Sequence, residues 1–274
     1  MAAIRASLVK ELREMTGLGM MECKNALAEA GGDLKKAEEL LRIKGGARAK
    51  LAGRVAAEGV VGAYLSPDAK VGALVEVNCE TDFVAKNEEL VAFSRSLAEL
   101  VATRNPANVT ALLRLEGVEG RLQALVQKIK ENISIRRFER LEAGAKLAHY
   151  LHGTRIGVLV DFDGADEVGK DVAMHIAFAR PAYLAKGDVP ADVMVREREI
   201  LAVRARESGK PAEIAQKMVD GGLNKFLGEI TLLGQPFVKD DKQTVAKMLA
   251  ARKATVLGYR FLVLSEGMEK KKAA

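Results

Sequence analysis

The sequence predicts an α+β fold in three parts: an N-terminal unit of three helices, a core of two related halves, and a helical hairpin inserted into the second half. Apolar residues recur at helical spacing through the first 45 residues. A pattern of two strands and a helix then occurs twice, between residue 55 and about residue 180. Two amphipathic segments joined by a compact turn follow. Together these observations favour helices packed on small sheets.

The N-terminal unit is expected to span residues 1–46. A glycine-containing break at 16–19 ends its first helix, and a second helix follows over 20–30. Asp33 is expected to cap the third helix, since its carboxylate can accept hydrogen bonds from the first free amides. A linker over 47–54, rich in Ala, Lys and Arg, leads into the core.

The first half of the core is expected over 55–140. Its second strand, 71–78, is rich in apolar residues, and a helix is expected over 88–103. An extra segment at 120–140 is predicted to contain a helix that ends near Glu131.

The second half of the core is expected to comprise 141–185 and 229–266, with a strand at 156–163 and a helix at 168–179. The hairpin insertion spans 186–228. A tail over 267–274 completes the domain plan.

Secondary structure around the hairpin is predicted in more detail. Its helices are expected to meet at a turn over 208–211, where Pro211 starts the second helix. Strands are then predicted at 229–233 and 235–238, a helix at 244–251 and a strand at 258–264.

Composition narrows the function classes. The net charge is +6 and the pI about 9.2, but Lys and Arg are interleaved with Glu and Asp. That pattern does not favour a nucleic-acid surface, which needs a continuous basic face with stacking aromatics, and an acidic protein partner explains the charge as well. No apolar run approaches the roughly 18 residues that cross a bilayer, and the N-terminus is amphipathic. We expect no membrane association and a cytoplasmic location.

Motifs for chemistry are scarce. Neither a phosphate-binding loop nor a nucleophile elbow occurs, so direct nucleotide binding is not expected. Cys23 and Cys79 lie far apart and are expected to be small buried apolar residues. No metal site or cofactor is expected, because His149 and His152, three apart on an extended segment, would face opposite ways. His175 is expected to be a hydrogen-bonded interior or interfacial residue.

Four acids at Glu80, Asp82, Glu88 and Glu89 have two interpretations. They could form an acid/base set for a hydrolase, with His152 as partner. Alternatively, Asn87 caps the helix that follows, and the acids at its start oppose the positive end of the helix dipole. Since no nucleophile–base pattern accompanies the acids, the capping interpretation is favoured.

The most informative residue is Phe83, which follows a strand on what should be a strand-to-helix loop. Phe is scarce, with eight in 274 residues and no Trp. Spacing alone leaves open whether the ring tucks beneath its own loop or projects as a wedge into a partner. Met20 and Met21 pose the same choice between core residues and an adaptable binding surface.

Long motifs resemble one family over nearly the whole chain. They are VKELRE at 9–14, TGLGMMECKNAL at 16–27, EVNCETDFVAK at 76–86, ENISIRR at 131–137, HGTRIGVL at 152–159, GKPAEIAQKM at 209–218 and GQPFV at 234–238. In order and in content they are similar to the motifs of bacterial translation elongation factor Ts. The resemblance implies a ubiquitin-associated-like N-terminal domain, the two-part core, and a hairpin that is an antiparallel coiled coil.

The resemblance also implies a function and a partner. The family releases GDP from elongation factor Tu, a GTPase, by protein–protein contact rather than as an enzyme, and is compatible with a homodimer in a 2:2 complex. By position, Thr81, Asp82, Phe83 and Val84 would displace the partner's magnesium ion. On this basis we interpret Phe83 as the wedge, Asp82 as the polar contact that fixes the loop, and Thr81 as a local cap.

Further partner contacts are implied at His152, which would shift the partner's phosphate-binding loop, at Met20 and Met21, and at Ile129. The docking loop and helix start of the N-terminal domain match residues 17–24. Two departures from the family pattern bear on these contacts: Lys130 stands where glycine is common, and the C-terminus is short.

Overall fold

The structure, a computed structural model, describes residues 5–16, 20–44, 51 and 53–268. Helices and antiparallel strands occur together in it, which confirms the α+β class. The chain divides into two compact units, which are described separately. The first unit holds the described residues of Met1–Leu141, Leu151–Gly157 and Leu262–Ala274, and the second holds Glu142–Tyr150 and Val158–Phe261.

Three helices form the N-terminal part of the first unit: α1 (Ala6–Thr16), α2 (Met20–Glu29) and α3 (Leu34–Lys44). Their shared core contains Leu12, Cys23, Leu27 and Leu41, which lie at helical spacing on the facing sides. The Asp33 carboxylate accepts a hydrogen bond from Lys36 N at 3.1 Å, which confirms the predicted cap. Thr16, predicted to belong to the break at 16–19, is the last residue of α1. Residues 17–19, the glycines at 45–46 and most of the 47–54 linker lie outside the described residues.

Among the described residues, a three-stranded sheet and the helices α4 to α7 make up most of the rest of this unit. The strand order is β1 (Glu58–Leu65), β2 (Val71–Cys79), β3 (Ser134–Glu142), and the helices are α4 (Asp82–Ala85), α5 (Glu88–Arg104), α6 (Val109–Leu113) and α7 (Val118–Ile129). β1 and β2 pair antiparallel from Glu58 opposite Cys79 onward. The apolar face of α5 packs on the sheet through Leu90, Leu97 and Val101. Gly62 permits this close approach, because a Cβ there would lie 2.5 Å from the Ser94 carbonyl carbon.

The second unit contains most of another three-stranded sheet. Its strand order is β4 (Lys146–His152), β5 (Ile156–Asp163), β8 (Thr255–Val263), and α8 (Asp166–Ala179) follows β5. α8 packs closely on β5: a Cβ on Gly169 would lie 2.3 Å from the Phe162 ring, which is itself buried. Both β4–β5 and β1–β2 are therefore followed by a helix, as the internal repeat predicts.

A helical hairpin, α9 (Ala191–Glu207) and α10 (Ala212–Ile230), follows, and its helices pack along each other. Leu201 of α9 fits against Gly222 of α10, where a Cβ would come within 2.7 Å of the leucine side chain. The chain then forms β6 (Pro236–Phe237), β7 (Asp240–Thr244) and α11 (Val245–Ala251) before β8.

The structure departs from several of the secondary-structure predictions. The strand expected at 229–233 does not form, because α10 continues to Ile230 and a 3-10 turn follows. Thr231 stabilises this end by donating its hydroxyl to the Leu227 carbonyl at 2.6 Å. The helix expected to end near Glu131 ends at Ile129, and the sequence does not predict α6, β3 or β7. Within the described part of the chain, no helix is both long and apolar enough to cross a membrane.

Candidate functional site

The loop over 80–87 joins β2 to α5 and carries the sequence's most informative residue. Thr81 caps the four-residue helix α4, since its hydroxyl accepts a hydrogen bond from Val84 N at 3.3 Å. Phe83 is 82% exposed, so the interpretation that its ring is tucked into the core is wrong. An apolar side chain this exposed on a protein with few aromatics makes the loop a candidate contact surface.

Glu131, which follows α7, hydrogen-bonds to the loop over 80–87. Its Oε2 accepts hydrogen bonds from the backbone amides of Glu80 and Thr81 at 3.0 and 3.1 Å. Its Oε1 accepts one from the Thr81 hydroxyl at 2.6 Å. In return, Glu80 Oε1 accepts from the Asn132 amide at 2.6 Å. The two segments therefore bind each other through reciprocal carboxylate–amide contacts.

Asp82 makes one contact inside the loop, whereas Glu131 reaches the loop from another segment of the chain. Asp82 forms an ion pair with Lys86 at 3.1 Å, inside the same loop, and both side chains are largely exposed. Sequence reasoning missed Glu131, although the residue begins the ENISIRR motif. It lies 50 positions from Thr81, so only the tertiary structure brings them together.

The geometry of Lys130 explains why glycine would suit its position. Lys130 ends α7 in the left-handed conformation, with φ of 65°, which an L side chain adopts only with strain. This turn directs the chain so that Glu131 reaches the loop. A close approach of the partner protein at Lys130 stays an expectation from the family resemblance.

The far end of the loop is fixed by the start of α5. The Asn87 side chain accepts hydrogen bonds from the amides of Glu89 and Leu90 at 2.9 and 3.2 Å, as predicted. Glu89 is engaged in an ion pair with Lys128 of α7. This supports the capping interpretation of Asn87 and the acids beside it. The buried Ala85 closes the loop onto the core.

Both cysteines are buried, as predicted. Cys79 ends β2, and its thiol donates a hydrogen bond to the Thr81 carbonyl at 3.2 Å. Burial, with the nearby Glu131 charge, raises the pKa of this thiol to about 12. Cys79 therefore stays protonated at neutral pH and supports the loop rather than acting as a nucleophile.

His152, also predicted as a partner contact, is exposed at the end of β4. The turn that follows is tied to the β1–β2 hairpin: Arg155 forms an ion pair with Glu58 at 2.8 Å, and Thr154 O accepts from Val61 N. Because Glu58 is the backbone partner of Cys79, this turn lies at the end of the hairpin from which the Phe83 loop leaves.

The other predicted contacts lie on helices. Met20 and Met21 are 50% and 60% exposed on α2 and are not among the residues of the three-helix core. Ile129 is partly buried and packs against the core at the end of α7, two residues before Glu131. Its position is next to the Phe83 loop, but much of its surface is used internally.

The three histidines differ in their surroundings. His149 and His152 both lie in the extended β4, as the prediction requires. No group of three or more His, Cys, Asp or Glu in the described ranges is arranged to hold a metal ion. His175 is 1% exposed, with Nε2 3.0 Å from Gln235 Oε1 and Nδ1 accepting from Val238 N, which confirms an interior, hydrogen-bonded residue.

Comparison with known proteins gives one consistent result. Residues 80–266 match the sequence model of the family described as elongation factor TS. The chain is 58% identical to elongation factor Ts of Bordetella petrii over 99% of its length and 94% of the relative's. Those of Cupriavidus taiwanensis and Nitrosomonas eutropha are 57% and 54% identical, over 99% of this chain and 94% and 95% of theirs. The chain belongs to the elongation factor Ts family.

Proposed function

We propose that this protein is a guanine nucleotide exchange factor for elongation factor Tu in translation elongation. Membership of the elongation factor Ts family supports elongation factor Tu as the partner and translation elongation as the process. The observation that carries the proposal is Phe83, a large apolar ring exposed at the tip of a loop that is hydrogen-bonded at both ends. A folded protein gains nothing internally from such an arrangement, whereas a partner surface would bury the ring.

In the proposed mechanism, Thr81, Asp82, Phe83 and Val84 displace the magnesium ion from the partner's nucleotide site. The ion would offset the negative charge of the phosphates of bound GDP, so its loss would weaken GDP binding without any covalent step. Phe83 enters between partner helices as the wedge. An aromatic ring suits this role because it buries a large area while few side-chain torsions are ordered.

Binding linkage requires a reciprocal effect. If this protein weakens GDP binding to elongation factor Tu by some factor, GDP weakens binding of this protein by the same factor. GDP or GTP in excess would therefore displace it from the partner, and exchange would proceed in both directions. The protein acts here as a binding partner that shifts an equilibrium, and we propose that it is not an enzyme in the covalent sense.

The remaining contacts extend the same proposal. His152, at the hairpin end shared with the Phe83 loop, shifts the partner's phosphate-binding loop. Met20 and Met21 supply an adaptable apolar surface on a ubiquitin-associated-like domain that docks on the GTPase domain, and Ile129 adds a contact beside the loop. The hairpin acts as a projecting coiled coil, and the complex acts in the cytoplasm, in a 1:1 or 2:2 assembly.

The test follows the release of fluorescent GDP from purified elongation factor Tu at saturating concentrations of this protein. Wild type should accelerate release strongly, and Phe83→Ala should lower the accelerated rate at least about tenfold, since truncating a central buried aromatic at an interface costs about 2 kcal/mol or more. Phe83→Leu, which keeps part of the apolar volume, should lie between them.

Phe178→Ala provides a matched control. Phe178 is the other strongly exposed aromatic among the described residues, at 77%, but lies on α8 in the second unit. Its removal should leave the rate at saturation close to that of wild type. An inactive wild-type protein would sink the exchange function, whereas an unimpaired Phe83→Ala would remove only the wedge.

A further inference from the structure

The position of the Phe83 ring is set by its backbone and not by its own packing. With 82% of the side chain exposed, the ring has little contact that could hold it. The helix beneath it, α4, has four residues and is far too short to be stable alone. Whatever orders the backbone at 80–85 therefore also orders the ring.

Glu131 makes the contacts that order the start of this segment. It accepts three hydrogen bonds there: two from consecutive backbone amides and one from the Thr81 hydroxyl, which in turn caps α4. Hydrogen bonds to a charged acceptor are shorter and stronger than neutral ones. A carboxylate that binds consecutive amides ahead of a helix also fixes the direction in which that helix starts.

The anchor itself is held in place. Glu80, in the loop, accepts from the amide of Asn132 at 2.6 Å, and the Asn132 side chain donates to the Arg54 carbonyl at 2.7 Å. Arg54 Nη1 lies 3.6 Å from Glu80 Oε2, and its positive charge reduces the repulsion between the carboxylates of Glu80 and Glu131. The loop and the 131–132 segment therefore hold each other, and both are tied to the chain that enters β1.

We infer that Glu131 is a positioning residue for nucleotide exchange: its carboxylate preorganises the Thr81–Val84 loop so that Phe83 meets the partner in one orientation. This inference rests on the proposed exchange function. A loop ordered before contact does not lose that conformational entropy on binding, so the anchor favours the productive complex. Removing Glu131 leaves Phe83 in the sequence but releases its backbone.

The test compares Glu131→Ala with Glu131→Gln and with Glu116→Ala. Glu116 is an exposed acid for which the described structure gives no ion pair or hydrogen bond, so its removal makes the same change in charge. Glu131→Ala should lower the saturating rate of fluorescent GDP release about tenfold. Glu131→Gln, which keeps an acceptor for the loop amides, should lower it less, and Glu116→Ala should match wild type.

A double-mutant cycle separates positioning from general stability. If Glu131 acts through Phe83, adding Glu131→Ala to Phe83→Ala should reduce the rate by less than about twofold further, because the ring it positions is already gone. In the free protein, the Glu80 and Thr81 amides should exchange with solvent faster in Glu131→Ala, while amides at the centre of α5 keep their protection.

The outcomes are distinguishable. A wild-type protein that fails to accelerate release overturns the exchange function and this inference with it. An active wild type with an equally active Glu131→Ala overturns only the positioning role. The same is true if Glu131→Ala causes an equal loss in both Phe83 backgrounds, or if the Glu80 and Thr81 amides keep their protection in Glu131→Ala.

Discussion

The two strand–strand–helix segments of this molecule differ most where the second strand meets its helix. After β5, residues 164–165 suffice to start α8. Gly164 makes this short turn with φ of 138°, and a Cβ there would lie 2.6 Å from the Ala254 Cβ. After β2, residues 80–87 form the longer connection that carries α4 and Phe83. Since a two-residue turn is enough for the fold, the longer loop points to a task outside it.

The two segments also differ in the groups that pair with a buried carboxylate. Glu76 in β2 and Asp161 in β5 occupy matching positions of the repeat, and both are buried. Glu76 pairs with the arginines of β3, Arg136 at 2.9 Å and Arg137 at 2.6 Å. Asp161 instead accepts from the backbone amides of Gly144 and Ala145 at 2.7 and 3.1 Å. A repeat thus keeps a buried acid while its partners diverge.

Phe162 and Phe83 offer the strongest test of this contrast. Phe162 fills the space between β5 and α8, so Phe162→Ala should lower the free energy of unfolding by about 3–5 kcal/mol. Phe83→Ala should change it by less than about 0.5 kcal/mol, because an exposed ring loses no packing. Urea unfolding followed by circular dichroism measures both. A comparable loss in the two variants would mean that Phe83 packs against the protein in solution.

Glu76→Ala should give the next largest effect. It leaves two partly buried guanidinium groups without their shared carboxylate, and it also removes the acceptor for Ser265 N at 2.7 Å. We expect a loss of about 3 kcal/mol in the free energy of unfolding. Asp161→Ala is the matched variant and should lose about 1–2 kcal/mol, since only neutral amides lose their acceptor. Equal losses would contradict the difference drawn between the two sites.

The helix ends of the two segments allow a smaller comparison. α5 and α8 end at Asn105 and Arg180, both left-handed, with φ of 46° and 47°. Arg180→Gly should raise the free energy of unfolding by up to about 1 kcal/mol, because glycine relieves the strain of a side chain in this conformation. Asn105→Gly should gain less, since Asn tolerates this region best among residues with side chains. A larger gain at Asn105 would show that these caps are set by other contacts.

The smallest expected effect is a pH dependence confined to the second segment. Burial lowers the pKa of His175 below its ordinary value near 6.5, so the folded state favours the neutral ring. As the pH falls below about 6.5, the unfolded chain takes up this proton first, and stability is lost. The urea midpoint should therefore fall between pH 7 and about 5.5, less so in His175→Gln. A flat wild-type profile would contradict the assignment.

Local chemistry made several features predictable. The caps at Asp33, Thr81 and Asn87 were all found where a side-chain acceptor precedes a helical pattern. Buried cysteines and an interior His175 followed from their apolar surroundings. Each of these depends on residues within a few positions of one another, where sequence spacing determines which atoms can meet.

The errors arose where distant residues compete with local pattern. The apolar run at 229–233 satisfies a strand pattern, yet it continues a helix whose packing partners lie elsewhere in the second unit. Glu131 was predicted to end a helix, but it accepts hydrogen bonds from a loop 50 residues away. Sequence spacing does not decide between the two interpretations of Phe83, because spacing cannot show what covers a ring.

The sequence by itself determined the α+β class, the repeated strand–strand–helix pattern and the family. Helix and strand periodicity and long motifs depend only on residues that are close together in the sequence. Only the tertiary structure decided that Phe83 is exposed and that Glu131 hydrogen-bonds to its loop. Side-chain exposure and long-range hydrogen bonds depend on which segments the fold brings within about 3 Å, and that proximity is absent from the order of residues alone.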